Sequence, residues 1–310
     1  MNTKKTFDIT RLLTFEWISL AALVGLFFII PAFSLFGVTA WWFYFIANHR
    51  DFLLNVLGDI GLGRRNYTRA ISSYKQCART TVARMKYVKK YVIIEIKHGS
   101  ADKAEITLDK IIKARKPKWV KDNEKDLSYL RALIAWKKGE IDRSLDILNT
   151  IFKEEKSQEI YGTISYMKLI KGNYEESLEF SKQAHTVYPN DIISKSIFAI
   201  SAYLNEDIEL ADELFEELVA HNLNIPDTFY YYAKYMISKG ELKKAEVALR
   251  KGLKLLNTTI ICSISKDQFG NLLDEVIDEL DALEDENDDN DGFDDDNDGF
   301  DDEIAIEEEN

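Results

Sequence analysis

"KGNYEESLEFSKQAHTVYPN", Lys171–Asn190, opens at a Gly-Asn-Tyr turn, continues as a helix with small Ser177 on its packing side, and stops at Tyr-Pro-Asn. It reads as one arm of a hairpin, whose other arm is "QEIYGTISYMKLI", residues 158–170, just before it. The turn slot and the small slot lie five positions apart, at Gly172 and Ser177. The same two slots recur at Arg65 and Ala70, Gly99 and Ala104, Gly139 and Ser144, Glu206 and Ala211, and Gly240 and Ala245. Successive small slots are spaced 34, 40, 33, 34 and 34 residues apart. Self-similarity at this period is the mark of stacked helical hairpins, none of which buries its apolar face alone.

In Gln158–Asp191 the first aromatic slot is Tyr161, the small slots are Ser177 and Ala184, and Pro189 ends the unit. The period and these residues resemble the tetratricopeptide repeat (TPR), a helix-turn-helix of about 34 residues. The resemblance covers 51–258. Departures are Lys168 in the Tyr slot, a Leu-Gly pair whose Gly survives only as Gly58, and six extra residues around "KPKWVK". It implies an all-α fold, a right-handed α-solenoid of about six repeats. A solenoid's last apolar face needs a cover. Ser265 and Gln268 form a capping box, and Phe269, Leu272, Leu273, Val276, Ile277, Leu280 and Leu283 form one stripe, so 265–283 reads as a capping helix. The expected organisation is an anchor at 1–50, an array at 51–258, a cap at 259–283 and a disordered acidic tail at 284–310.

Composition agrees with a helical chain. Among 310 residues there are 15 Tyr and 17 Phe but only 14 Gly and 4 Pro, too few turn residues for an all-β fold. Cys77 and Cys262 stand apart from each other and from any histidine, which excludes a disulfide framework and a zinc knuckle. His49, His98, His185 and His221 are single, and "GLGRRN" at 61–66 lacks the third glycine and preceding strand of a phosphate loop. No catalytic residues are assigned and no enzyme activity or cofactor is expected.

From Leu12 to Ala47 the chain is apolar apart from Glu16, longer than the h-region of a cleaved signal. It reads as a transmembrane anchor, either a single span kinked at Pro31 or a short hairpin turning near Pro31, Ser34 and Gly37. Basic residues on both flanks, Lys4, Lys5 and Arg11 before it and Arg50, Arg64, Arg65 and Arg69 after it, favour the hairpin with both ends cytoplasmic. The expected location is an integral cell-membrane protein with a cytoplasmic array.

Charge is segregated along the chain. Residues 64–121 carry seventeen basic and four acidic groups, net +13, whereas 284–310 carry sixteen acidic groups and no basic one. Arg64, Arg65, Arg79, Arg84, Lys86, Lys89 and Lys90 are therefore candidates for contact with anionic membrane lipids. Nucleic acid is the competing partner, without a recognition motif to support it. The tail repeats Asp-x-Asp-Gly-Phe, and Asp294, Asp296 and Asp298 suit the start of a calcium loop, but Ala305 stands where a bidentate Glu belongs. Weak calcium binding and folding back onto the basic segment are both open.

The TPR resemblance implies that a protein partner, a peptide or a helix, lies along a concave face built by the first helix of each hairpin. The matching positions are Tyr129, Leu133, Trp136, Tyr166, Leu169, Ile193, Ile200, Tyr203, Tyr230 and Lys234. They describe an aromatic and apolar groove for hydrophobic anchors. The expected function is a membrane-tethered, non-catalytic adaptor or scaffold. The alternatives are an exported surface protein with a calcium-responsive tail and a basic, nucleic-acid-linked regulator.

Overall fold

Ala70, Ala104, Ser144, Ser177, Ala211 and Ala245 each stand fourth in a helix, and each is 0% exposed. The computed structural model describes residues 18–22, 31–80, 83–220, 223, 225–256 and 262–290, and no strand occurs among them. The chain divides into two compact units, Met1–Ile151 and Phe152–Asn310, where the sequence suggested one array.

The first unit holds α1 (Pro31–Asn48), α2 (Arg50–Gly63), α3 (Tyr67–Arg79), α4 (Met85–His98), α5 (Ala101–Ala114), α6 (Pro117–Asp122), α7 (Glu124–Lys137) and all but the end of α8 (Ile141–Glu154). Helix α2 packs on α3 and α4 on α5, while α7 packs on both α4 and α5. The extra residues around "KPKWVK" form the short α6, begun by Pro117 at a position where proline's fixed φ is favourable. Gly58 is the site of closest approach: a Cβ there would stand 2.4 Å from Cε1 of the buried Tyr74 ring.

The second unit contains α9 (Gln158–Ile170), α10 (Tyr174–Val187), α11 (Ile192–Leu204), α12 (Ile208–Ala220), α13 (Pro226–Ser238), α14 (Leu242–Leu255) and α15 (Lys266–Asn290). Hairpins α9/α10, α11/α12 and α13/α14 follow one another, with α9 against α11 and α11 against α13. Helix α15 packs on α14 as the cap. Its capping box is formed: the Ser265 amide donates to Gln268 Oε1 at 2.8 Å, and the Gln268 amide donates to Ser265 Oγ at 3.1 Å. The Phe269 ring lies against Gly252, where a Cβ would come within 2.4 Å of it. The cap runs to Asn290, so residues 284–290 are helical rather than part of a disordered tail; 291–310 lie outside the described residues.

Five of the six turn slots are left-handed. Gly139, Gly172 and Gly240 have φ of +82°, +86° and +74°, and Arg65 and Glu206 adopt +55° and +62° despite their side chains. Gly99 departs, with φ −128°. The geometry is therefore a property of the repeat, and glycine occupies it where available because it has no Cβ to clash.

Ser177 shows what the small slot does. Its hydroxyl donates to the Ser165 carbonyl on α9 at 2.9 Å and lies 2.8 Å from Ser201 Oγ on α11, which must then supply the second proton. One hydroxyl thus joins three helices. The matching hydroxyl of Ser144 is equally buried and has no hydrogen-bond partner among the described residues.

The integral-membrane expectation is overturned. Among the described residues no helix is long and apolar enough to cross a membrane. Helix α1 begins at Pro31 and has 18 residues. At about 1.5 Å per residue they reach about 27 Å, short of a hydrocarbon core of about 30 Å, and Thr39, Tyr44 and Asn48 lower their hydropathy. Residues 1–17 and 23–30, including Glu16, lie outside the described residues.

Ser177→Ala should lower the unfolding free energy by about 1–2 kcal/mol, whereas Ser144→Ala, which removes an unpaired buried hydroxyl, should be neutral or stabilising by up to about 1 kcal/mol. Urea midpoints of the two variants test this, and equal destabilisation would contradict it. Gly252→Ala should cost about 1–3 kcal/mol by pushing Phe269 off its seat, read as a lower Tm.

Candidate functional site

The second unit gathers tyrosines from four helices around one buried carboxylate. Asp227, second residue of α13 after Pro226, is 1% exposed. Its Oδ1 accepts from Ser263 Oγ at 2.6 Å, from the Ser263 amide at 3.0 Å and from the Tyr166 hydroxyl of α9 at 3.2 Å. Its Oδ2 has no partner, and no Lys or Arg pairs with it among the described residues. The free amides of the first turn of α13 supply a favourable potential for that charge.

Tyr231 stands beside this network. Burial pushes its hydroxyl up to about 12, and the Asp227 carboxylate adds to the shift, with smaller effects from Tyr174, Tyr230 and Tyr203. Tyr166 is held well above the ordinary tyrosine value by burial first and Asp227 second. The rings interlock: Tyr230 meets Tyr231 at 5.6 Å and Phe269 of the cap at 5.1 Å, and Tyr203 meets Tyr235 at 6.0 Å. Tyr174 is 38% exposed, Tyr203, Tyr230 and Tyr231 are half-buried, and Lys234 is exposed beside them. Such rings offer large, stiff contact area with a polar tip.

The ten groove positions divide by burial. In the first unit Tyr129, Leu133 and Trp136 are buried, so they pack inside the repeats rather than line a surface. In the second, Tyr166, Leu169 and Ile200 are buried in the same way, and Tyr166 serves as a strut to Asp227. Ile193, 56% exposed, and Tyr203, Tyr230 and Lys234 remain at the surface. Ile193, second residue of α11, lies next to Gly162 of α9, whose missing Cβ would lie 3.6 Å from it. Asp227, Tyr174 and Tyr231 were not foreseen. The run Tyr230-Tyr231-Tyr232 was a usable signal for Tyr231, since three successive helical residues cannot all face the core.

The lipid candidates are partly engaged. Lys90 pairs with Asp59 and lies over the Tyr74 ring at 4.9 Å, and Lys89 pairs with Asp126 at 2.8 Å. Lys86 lies over Tyr87 at 4.9 Å, while Arg64, Arg65, Arg79 and Arg84 are exposed.

Cys77 donates its thiol proton to the Asp51 carbonyl at 2.9 Å, and burial with the nearby Asp51 charge pushes it up to about 12. That is an unreactive thiol. His98 stacks on Tyr67 at 3.8 Å, and burial lowers its affinity for a proton. No group of three or more His, Cys, Asp or Glu suited to a metal occurs among the described residues. The calcium candidates Asp294, Asp296 and Asp298 lie outside them.

No protein-family model and no curated protein matches the sequence. Solved structures match the fold. A tetratricopeptide repeat protein from Parabacteroides merdae is similar over 88% of this chain and 96% of its own, at 14% identity and a TM-score of 0.55. The Cut9–Hcn1 hetero-tetramer of the APC/C is similar over 74% of this chain and 43% of its own, at 10% identity and a TM-score of 0.57. The fold is that of tetratricopeptide repeat proteins.

Asp227→Asn should cost about 2 kcal/mol, because a buried amide replaces the acceptor of three bonds. It should also bring Tyr231 down from about 12, since the carboxylate charge is one cause of the shift. The wild-type contribution of Tyr231 is present below its unfolded value near 10 and is lost as pH rises towards 12. Absorbance titration at the tyrosinate band checks both signs, and an unchanged alkaline titration in the variant would contradict the assignment.

Proposed function

We propose that the chain is a non-catalytic scaffold that holds a segment of a protein partner against the tyrosine-bordered face of α9, α11 and α13. The observation that carries this reading is the pairing of a rigid base with exposed anchors. Tyr166, Asp227 and Ser263 tie α9, α13 and the entry to the cap together. Around them, Ile193, Tyr174, Tyr203, Tyr230 and Lys234 present apolar area, hydroxyls and one cation to the surface. Stiff aromatic anchors with little conformational entropy to lose are what hot spots in interfaces are made of.

The fold supports a scaffold because stacked hairpins expose an extended row of helices. The partner's chemistry follows from the surface: a helix or extended peptide with apolar side chains for Ile193 and the tyrosine rings, and an acidic group for Lys234.

Photo-crosslinking side chains at Ile193, Tyr203 and Lys234 in the full chain test this reading. One polypeptide should be captured from all three positions, with capture falling about tenfold when Ile193→Asp is added to the other two. Capture of the same species from Lys182 on α10, or none from the three positions, would contradict it.

A further inference from the structure

Helix α5 carries opposite charges on two of its edges, and only one edge is neutralised. Asp102, Glu105 and Asp109 are paired: Lys138 bonds Glu105 at 2.8 Å and Asp102 at 3.2 Å, and Arg131 bonds Asp109 at 3.1 Å. The other edge presents Lys103 and Lys110. With Lys75 and Arg79 of α3 they border a groove of about 120 Å³ that Ile106 and the buried Thr107 also line. Both helices belong to the first unit. No acidic residue lines the groove, and none of its four cationic side chains has an ion pair or hydrogen bond among the described residues.

The ordinary structural duty of a cation at a helix end is already filled. A basic residue in a last turn serves the free carbonyls there. At the end of α3 Arg115 does so instead of Arg79, donating to the Ala78 carbonyl at 3.2 Å and the Thr80 carbonyl at 2.6 Å. Lys75 and Arg79 stand one helical turn apart, a spacing at which like charges repel. An anion in the groove relieves that repulsion.

The donor set selects among anions. One guanidinium fork and three ammonium groups exceed what a carboxylate can use, with its single charge and two oxygens. A phosphate monoester brings a charge of about −1.5 to −2 at neutral pH and three strong acceptor oxygens. Pockets for drug-sized molecules run to about 300–1,000 Å³, so this groove suits one such headgroup. Ile106, 55% exposed at its border, offers apolar surface to the carbon substituent of an ester. We propose that the α3/α5 groove binds a dianionic phosphate monoester, with the phosphate among Lys75, Arg79, Lys103 and Lys110 and the organic substituent on Ile106. Of these residues only Arg79 is among the lipid candidates read from the sequence. A soluble phosphorylated molecule and a monoester lipid headgroup share this chemistry.

The test is acetylation footprinting of lysines in the full chain, mapped by mass spectrometry at constant ionic strength because exposed charges are screened by salt. The soluble probe is phenyl phosphate, and the lipid probe is vesicles of phosphatidylcholine with phosphatidic acid. At least one probe should slow modification of Lys75, Lys103 and Lys110 about fivefold, leaving Lys113 of the same helix and Lys182 of α10 unchanged. Protection by phenyl phosphate assigns a soluble ligand, and protection by the vesicles alone assigns a lipid headgroup. Arg79→Gln with Lys110→Gln should weaken binding of the protecting probe about tenfold, and Ile106→Ser about threefold. All three positions are exposed, and an unchanged helical signal verifies that the variants fold. Protection by neither probe, or protection that survives Arg79→Gln with Lys110→Gln, would overturn the proposal. Equal protection by benzoate, or by vesicles whose anionic lipid is the diester phosphatidylglycerol, would also overturn it.

Discussion

Close approach of helices at one small residue per hairpin is the constraint on which the rest of this structure depends. Six positions, alternating only between alanine and serine, are 0% exposed at the fourth residue of their helices. A larger side chain at any of them would hold the neighbouring backbone away, and interiors packed as densely as organic crystals leave no slack to absorb it. At five of the six, a left-handed turn five residues earlier aims the second helix into that contact. Arg65 and Glu206 accept an unfavourable φ to satisfy it, so the contact is worth more than the local strain.

Polar groups refine this apolar scheme in the second unit. Ser177 links α9, α10 and α11 through one hydroxyl, and Asp227 links α9, α13 and the segment entering the cap. Both bridge elements remote in sequence, and a buried carboxylate without a cationic partner is tolerable only because several donors converge on it. The surface tyrosines inherit their rigidity from that base. Buried support and aromatic surface therefore meet in one cluster, with Tyr166 on its buried side and Tyr203, Tyr230 and Tyr231 half-buried at its edge.

Local and periodic features were the legible ones. The small slots, five of the six turn positions and the Ser265–Gln268 capping box appear in the structure, because each depends on spacings of five residues or fewer. Burial around a helix was less legible. Leu133, Leu169 and Ile200 lie on an apolar stripe, but a repeat helix buries faces against both its partner and the next hairpin, so the stripe does not say which side is left open. The contact between Tyr166 and Asp227 spans 61 residues and has no sequence signature. Proline is compatible with both a kink and the first residue of a helix, so Pro31 alone did not give the bounds of α1, which begins there.

Native-state hydrogen exchange of the full chain tests the central claim most directly. If the small-residue contacts hold the hairpins together, amides following Ala70, Ala104, Ser144, Ser177, Ala211 and Ala245 should be among the slowest to exchange within their own units. Exchange at unfolded-chain rates through 101–114 or 141–154, while the other second helices stay protected, would contradict it.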